Sequence, residues 1–496
     1  MRYRIAPISG LAIALSTCIL SASTLSGCAA GPDYRPPAPE SLGVPARYSS
    51  GSENAGSETA AGAEELATWW KQFGDSALDG LIAKALANNL DIAQATARLR
   101  QAREALVQAN ADRLPQVSAT GSAGRNYRSG TSGVQLDSNG NVIGTSDNSW
   151  SSSYSVGADA SWQADVFGGL ARSSEAARAD YAGSGYDLAA VRVAMIGELV
   201  SNYIQARLAQ EQLRIAREQL SYQQDNADIA GWRLKAGLVS SLDNEQARQQ
   251  LAQTTATIPT FENSAKAALN RIAVLTGEAP GEATGALETP QAIPTAPYAI
   301  ASGIPADTLR QRPDVRSAER SLAAATARIG VAKAALYPAL GISGNIGTSA
   351  TAFRSLTDIV TGGIFASLAQ TIFDGGARRS QLRSQRAAAD GAFAAYKSSV
   401  LTAIEDIENA MNALSAARIR KAQFTVAEDA ANNAAILVRA QYRAGLTDFQ
   451  NLLTAEQTLL SARNSLAGAQ SDEVLAVAQL YGALGGGWQN MDETPK

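Results

Sequence analysis

Two periodicities alternate along this chain, and each occurs twice. Over residues 91–115, Ala95, Leu99, Ala102 and Ala109 recur at helical spacing on one stripe, and Pro115 closes the run. The stripe returns as Ala318, Leu322, Ala325 and Ala332, closed by Pro338. After each Pro the period changes to two. Between Trp150 and Asp165 the even positions are Trp150, Ser152, Tyr154, Val156, Ala158, Ala160, Trp162 and Ala164, and the odd ones are Ser, Gly, Asp or Gln. This predicts a strand with one apolar face, aromatic near both ends, and one polar face.

Three further segments read as strands. In 116–127, Val117, Ala119 and Ala123 alternate with Ser118, Thr120 and Ser122. Leu340, Ile342 and Ile346 alternate with Gly341, Ser343 and Asn345, and the segment 362–373 is apolar on both faces. Each pair brackets a polar segment, 125–148 in the first and 348–359 in the second, which reads as a surface loop. Apolar-out, polar-in strands of this length suit a lipid-facing wall around a wet lumen. Four strands cannot close a barrel, and open edges in lipid leave backbone groups unpaired. The pattern therefore predicts an oligomer.

Long helices follow the strands. No Pro occurs over 167–258 or 339–491. The run 171–232 is almost entirely helix-forming, apart from Gly183-Ser184-Gly185, and would extend about 90 Å at 1.5 Å per residue. Helices of this length pack as coiled coils. Their reversals are marked by Arg233-Leu234-Lys235-Ala236-Gly237-Leu238 and Gln441-Tyr442-Arg443-Ala444-Gly445-Leu446. Gly ends a helix, and Ser240 or Ser241, and Thr447 or Asp448, can cap the next. A third matched landmark pairs Asp165–Arg172 with Thr371–Arg378, so the body reads as two copies of one plan.

The first residues carry a different message. Arg2 and Arg4 precede an apolar stretch ending near Leu20, too short to span a bilayer, which reads as a signal peptide. Leu25-Ser26-Gly27-Cys28 looks like a lipobox, with cleavage between Gly27 and Cys28 and acylation of Cys28. Ala29 follows, and not the Asp that retains lipoproteins at the inner membrane. Residues 31–62, with five Pro, read as an extended tether.

Composition narrows the chemistry. The 496 residues are 45% apolar but only 6% aromatic, which suits closely packed long helices. There is no His, so the Ser-His-Asp triad, the Cys-His pair and imidazole metal ligands are excluded. Both Cys, Cys18 and Cys28, fall in the leader region, which leaves no disulfide or Cys-based metal cluster in the body. A net charge of -4 without a basic run gives no footprint for nucleic acid. The expectation is a chain that is not an enzyme, needs no cofactor and holds no metal.

The set Gly31-Pro32-Asp33-Tyr34, Trp69-Trp70-Lys71-Gln72-Phe73-Gly74-Asp75, Arg312-Pro313-Asp314-Val315 and Ala327-Arg328-Ile329-Gly330, with the two Ala-Gly-Leu turns, resembles the TolC-like outer-membrane efflux factors. The likeness is greatest to the NodT-type lipoprotein branch, and it covers almost the whole mature chain. It implies a mainly α fold with a membrane β-barrel: coiled-coil hairpins forming a long α-helical barrel, and four strands per protomer forming a shared twelve-stranded barrel in a homotrimer. It also implies a lipid-anchored outer-membrane exit duct extending into the periplasm. Its partners would be a periplasmic adaptor and an inner-membrane transporter of the resistance-nodulation-division type. A type I protein-secretion exit and a non-conducting coiled-coil lipoprotein remain the alternatives.

The domain plan is then a signal peptide over 1–27, a lipid-anchored tether over 28–62, a first repeat over 63–279, a connector over 280–305, a second repeat over 306–487 and a tail over 488–496. Adaptor contacts are expected at Gly237, Leu238, Ser240, Gly445, Leu446 and Asp448. Relatives close their duct with inward residues that often include a Leu and an Asp, where this chain has Gln450 and Thr454. Those two and Asp243 are the gate candidates, with Asp448 and Glu245 as further sources of inward charge. Trp69, Trp70 and Phe73 read as packed under the body or as a partner-binding cluster. Arg312 and Asp314 read as fixing a helix start. Asp159 and Asp165 are candidates for the pore lining.

Overall fold

The computed structural model describes residues 29–45, 66–129, 131–136, 138–140, 142–146, 149–281, 287, 289–297, 309 and 311–488. Its main elements are α1 (Ser76–Asn88), α2 (Leu90–Ala111), β1 (Gln116–Arg128), β2 (Thr131–Leu136), β3 (Val142–Ser146), β4 (Ser149–Ala164), α3 (Gly169–Lys235), α4 (Ser241–Leu275), α5 (Pro313–Ala334), β5 (Ala339–Ala350), β6 (Val360–Ala369), α6 (Ala377–Arg443) and α7 (Phe449–Ala483). Two compact units emerge. One takes Gln101–Tyr181, Ser321–Phe393 and the described residues up to Arg35; the other takes the remainder.

The strand unit is an antiparallel sheet in the order β1-β4-β5-β6. Its register brings Tyr127 opposite Trp150, Val156 opposite Thr348, Trp162 opposite Ile342, and Leu340 opposite Leu368. Because side chains alternate, these pairings gather Val117, Val156, Ala158, Ile342, Ile346, Ile364 and Leu368 on one face. The other face collects Ser118, Thr120, Asp159, Ser343, Asn345 and Ser367. Phe365 is the exception on the polar face, opposite Ser343. Among the described residues, β1 and β6 each pair on one side only.

The helical unit is built from two hairpins of matched size. Helices α3 and α6, which begin in the strand unit, have 67 residues each, and α4 and α7 have 35 each. Gly183 and Gly185 do not interrupt α3. Pro259 stands inside α4, where it cannot donate to the Thr255 carbonyl. Tertiary packing on both sides of the Pro holds the helix there, with Thr254, Ala268 and Ile272 buried.

Aromatic packing and one arginine hold the ends of these helices together. Trp69, 1% exposed, stacks on Tyr481 at 5.3 Å and meets Trp70 and Phe73 edge-on. A side chain at Gly486 would strike the Trp69 ring at 2.9 Å, so the glycine is required there. The cluster is therefore core, as one of its two readings had it. Arg312 holds Asp314 through two bonds of 3.0 and 2.7 Å, Asp406 at 3.0 Å and the Ala483 carbonyl at 2.9 Å. It fastens the start of α5 to α6 and to the end of α7.

Three expectations need correction. The segment 125–148 is not a plain loop: β1 runs on through Arg128, and β2 and β3 pair as a separate two-stranded hairpin. The described strands therefore exceed four, although four make the main sheet. Thr131–Leu136 carries alternating residues that favour pairing over a coil. The tether is not extended throughout. Ala30 donates to the Phe167 carbonyl at 2.9 Å, and Pro39–Leu42 form one helical turn with Leu42 buried. Finally, the Asp165 carboxylate is not free on the strand face. Its carboxylate accepts from the N–H groups of Leu170 (3.1 Å) and Ala171 (2.7 Å) and caps α3. Cys28 and Gly27 lie outside the described residues, as do the rest of the leader, residues 46–65 and 489–496.

Candidate functional site

The sheet is the first half of the site. Its apolar face is bare among the described residues: Val117 is 75% exposed, Ile364 86% and Leu368 72%. A contiguous apolar surface of this kind needs a non-aqueous cover. Aromatic rings mark its two ends. Tyr127 and Trp150 pack at 4.9 Å at one end, with the Arg125 guanidinium 5.0 Å over the Trp150 ring. At the other end Phe167 and Tyr337 stack at 4.7 Å, and Trp162 donates from its indole N–H to the Arg113 carbonyl at 3.0 Å. Along β4, Trp150 and Trp162 are about 40 Å apart at 3.3 Å per residue, which a strand tilt near 40° reduces to roughly 30 Å. That is the scale of a bilayer's hydrocarbon core. Asp159 sits exposed on the polar face between Ser118 and Asn345, where a lumen carboxylate is expected.

The hairpin turns are the second half. Gly237 (φ +70°) and Gly445 (φ +74°) both end their helices in the left-handed region. In each turn the Gly N–H bonds the carbonyl three residues back and the following Leu N–H bonds the one five back: Leu234 and Arg233 in the first, Tyr442 and Gln441 in the second. This is the Schellman arrangement. Ser240 caps α4 with Asp243 reciprocating through Ser240 N–H, and Asp448 caps α7 through Asn451 N–H at 2.8 Å. Of the capping alternatives, Ser240 and Asp448 act. Leu238 and Leu446 are 74% and 79% exposed among the described residues.

Below the turns, the two hairpins share a core of Ala230, Ala247, Tyr442, Phe449, Leu452 and Leu453. Arg233 ties them as well. It donates to the Tyr442 carbonyl at 3.1 Å and lies 4.6 Å over the Tyr442 ring. Burial pushes the Tyr442 hydroxyl up from its ordinary pKa, against the pull of Arg233.

Gln450 and Thr454 lie exposed one turn apart on α7, and Thr454 returns its hydroxyl to the Gln450 carbonyl at 2.9 Å. Their neighbours on that stripe are neutral too: Thr458 bonds the Thr454 carbonyl, and Gln457 donates to Gln250 of α4 at 2.8 Å. Asp243 and Asp448 are engaged as caps, and Glu245 pairs with Arg248 at 2.9 Å.

Sequence reasoning missed the charge beneath this stripe. Glu456, 1% exposed, accepts from Arg439 (3.2 Å), Asn226 (2.9 Å) and Gln219 (3.3 Å), and so joins α7 to α6 and α3. The Arg439 guanidinium lies 4.0 Å over the Tyr222 ring. The buried Gln223 Oε1 and Arg439 Nη2 have no hydrogen-bond partner. A signal existed: Glu456 continues the apolar stripe of Phe449, Leu452, Leu453 and Leu459, where a carboxylate is out of place. Among the described residues no group of His, Cys, Asp or Glu is placed to hold a metal, and no helix is long and apolar enough to cross a membrane.

A sheet with one exposed apolar face and one polar face, whose two outer strands each pair on one side only among the described residues, suits a subunit of a membrane channel. The comparisons agree. The family model described as outer membrane efflux protein matches residues 81–278 and 304–486. Nodulation protein T of Rhizobium leguminosarum bv. viciae is 33% identical over 469 residues, spanning 94% of this chain and 92% of that protein. The pyoverdine export outer membrane protein OpmQ of Pseudomonas aeruginosa is 32% identical over 432 residues, spanning 86% and 89%. The solved outer-membrane channel OprN superposes with a TM-score of 0.81 at 33% identity, covering 93% of this chain and 100% of that one. The chain belongs to the outer membrane efflux protein family, in its NodT-type branch. It is an outer-membrane efflux channel, the exit duct of an efflux pump.

Proposed function

We propose that three copies join their sheets edge to edge, β6 of one against β1 of the next, as a lipid-anchored duct whose helices extend into the periplasm. The observation that carries this reading is the sheet with one bare apolar face and, among the described residues, two unpaired edges. Each unpaired backbone group in hydrocarbon costs several kcal/mol, on the order that only closure removes. The two matched stretches of the family support reading the body as two repeats, 63–279 and 306–487. The duct conducts passively, without catalysis. Acyl chains on Cys28 hold it in the outer membrane.

The exposed Leu238 and Leu446, set in place by Gly237, Gly445, Ser240 and Asp448, form the contact for a periplasmic adaptor. Through it the duct serves an inner-membrane transporter of the resistance-nodulation-division type. Gln450, Thr454 and Asp243 lie at the closure, which makes the closure largely neutral, and the Glu456 cluster behind it holds the hairpins together.

Purified protein reconstituted in a planar bilayer tests this. Discrete conductance steps are expected, together with a cross-linked trimer. A monomer that passes no current would refute the duct. A disulfide formed between copies of Thr454→Cys, lowering the current, is expected if that residue lines the closure; an unchanged current in fully oxidised protein counts against it.

A further inference from the structure

Residues 29–33 sit in a slot that only glycine allows. At Gly31 (φ +108°) a Cβ would fall 2.5 Å from the Cα of Gly330. At Gly330 it would meet the Ala30 carbonyl and the Arg172 side chain, both at 2.7 Å. At Gly168 (φ +73°) it would meet the Cα of Ala29 at 2.9 Å. Two polar contacts complete the seat. Ala30 donates to the Phe167 carbonyl at 2.9 Å, and Arg172 donates to Asp33 at 2.5 Å. The Arg172 side chain is only 7% exposed and also holds Glu175 at 2.7 Å. A loose leader would not need three converging glycines and a buried guanidinium.

The slot lies at the strand-to-helix corner, where Phe167 stacks on Tyr337. These rings and Trp162 form the second aromatic level of the sheet, the level at which a barrel wall meets the headgroups. Cys28 immediately precedes Ala29 in the sequence.

We infer that the slot of Gly168, Gly330 and Arg172 is a receiving site for the segment that follows the acylated cysteine, and that seating it sets the acyl chains at the membrane boundary beside β4. The inference rests on the reading of Cys28 as the lipidated residue. It gives Gly31-Pro32-Asp33-Tyr34 and Ala327-Arg328-Ile329-Gly330 a shared role, since the first seats against the second. Anchor and wall then enter the bilayer in register, and the free strand edges meet their partners at one depth.

Three variants of the full-length protein test it in the outer membrane: Gly31→Val, Gly330→Val, and an insertion of Ala-Gly-Ser-Gly-Ser-Gly between Cys28 and Ala29. The insertion leaves the slot and the body unchanged and only uncouples the anchor. Radioactive palmitate incorporation and the SDS-resistant oligomer are read in parallel, with Cys28→Ser as the unlabelled control. Full labelling with a roughly tenfold loss of oligomer is expected in all three variants: in the two valine variants because the clash in the slot costs on that order, and in the insertion because the anchor no longer sets the depth of the wall. Full labelling with parental oligomer in the insertion and in Gly31→Val overturns the inference. Label that survives Cys28→Ser overturns the lipid-anchor reading itself, a different outcome of the same gel.

Discussion

Arg439 of α6 and Glu456 of α7 form an ion pair of 3.2 Å in which the carboxylate is 1% exposed. The pair sits beneath the neutral stripe of Gln450 and Thr454, and the same carboxylate reaches Asn226 and Gln219 of the other hairpin. Removing one partner leaves the other charge buried and alone, which costs about 3–5 kcal/mol, whereas replacing both by apolar groups of similar volume is often neutral. Glu456→Ala is therefore expected to loosen the hairpins and raise the resting conductance in a bilayer. Glu456→Met with Arg439→Met is expected to restore much of the tightness. Equal conductance in the single and double variants would separate this pair from closure.

The two faces of β4 make opposite demands. Val156 is on the apolar face and Ser155 on the polar one, adjacent in sequence. Val156→Lys places a charge against lipid at about 2–4 kcal/mol near the midplane, while Ser155→Lys meets water. Assembly, read as the heat-modifiable oligomer, should fall sharply for the first and little for the second. Similar losses would mean that the faces are assigned wrongly.

The turn at Gly445 separates backbone strain from packing. Nothing lies within 4 Å of a Cβ built there, but φ is +74°. Gly445→Ala is expected to cost about 1 kcal/mol through the backbone alone. Gly445→Pro also removes the N–H that bonds the Tyr442 carbonyl at 3.0 Å, and should weaken adaptor docking further. Co-purification of the adaptor with each variant checks the order parent, Ala, Pro.

The Arg172 guanidinium, by hydrogen bond and by charge, holds the Asp33 carboxyl below the usual carboxylate range. A depressed folded pKa means a contribution that is present above the unfolded value, near pH 3.9, and is lost as pH falls through the folded one. Protease access to residues 29–35 should thus stay constant from pH 8 to about pH 4 and rise only below that range. In Asp33→Asn the ionisable step is gone, and the access profile should be flat.

Labelling with radioactive palmitate should mark the parent and not Cys28→Ser. A mutant that keeps the label would refute acylation at that residue.

Much of this protein was legible because its order is local. Period-two alternation in 150–165 set the faces of β4, and the register then matched those faces on all four strands. Gly237 and Gly445 announced the reversals because a left-handed residue after a helix is a property of the backbone at one position. The β2–β3 hairpin escaped notice because its strands are only six and five residues long and stand among Gly, Ser and Asn, too short a run for its alternation to be told from a loop.

The sequence by itself determined the elements, their repetition and which side of each strand is oily, since these follow from φ and ψ preferences and from the spacing of apolar residues. Only the tertiary structure decided what each side meets. It tied the Asp165 carboxylate to the start of α3, put Glu456 at the junction of three helices, and seated Gly31 against Gly330. Contacts between residues so far apart along the chain depend on how elements pack, and a local pattern carries no record of that.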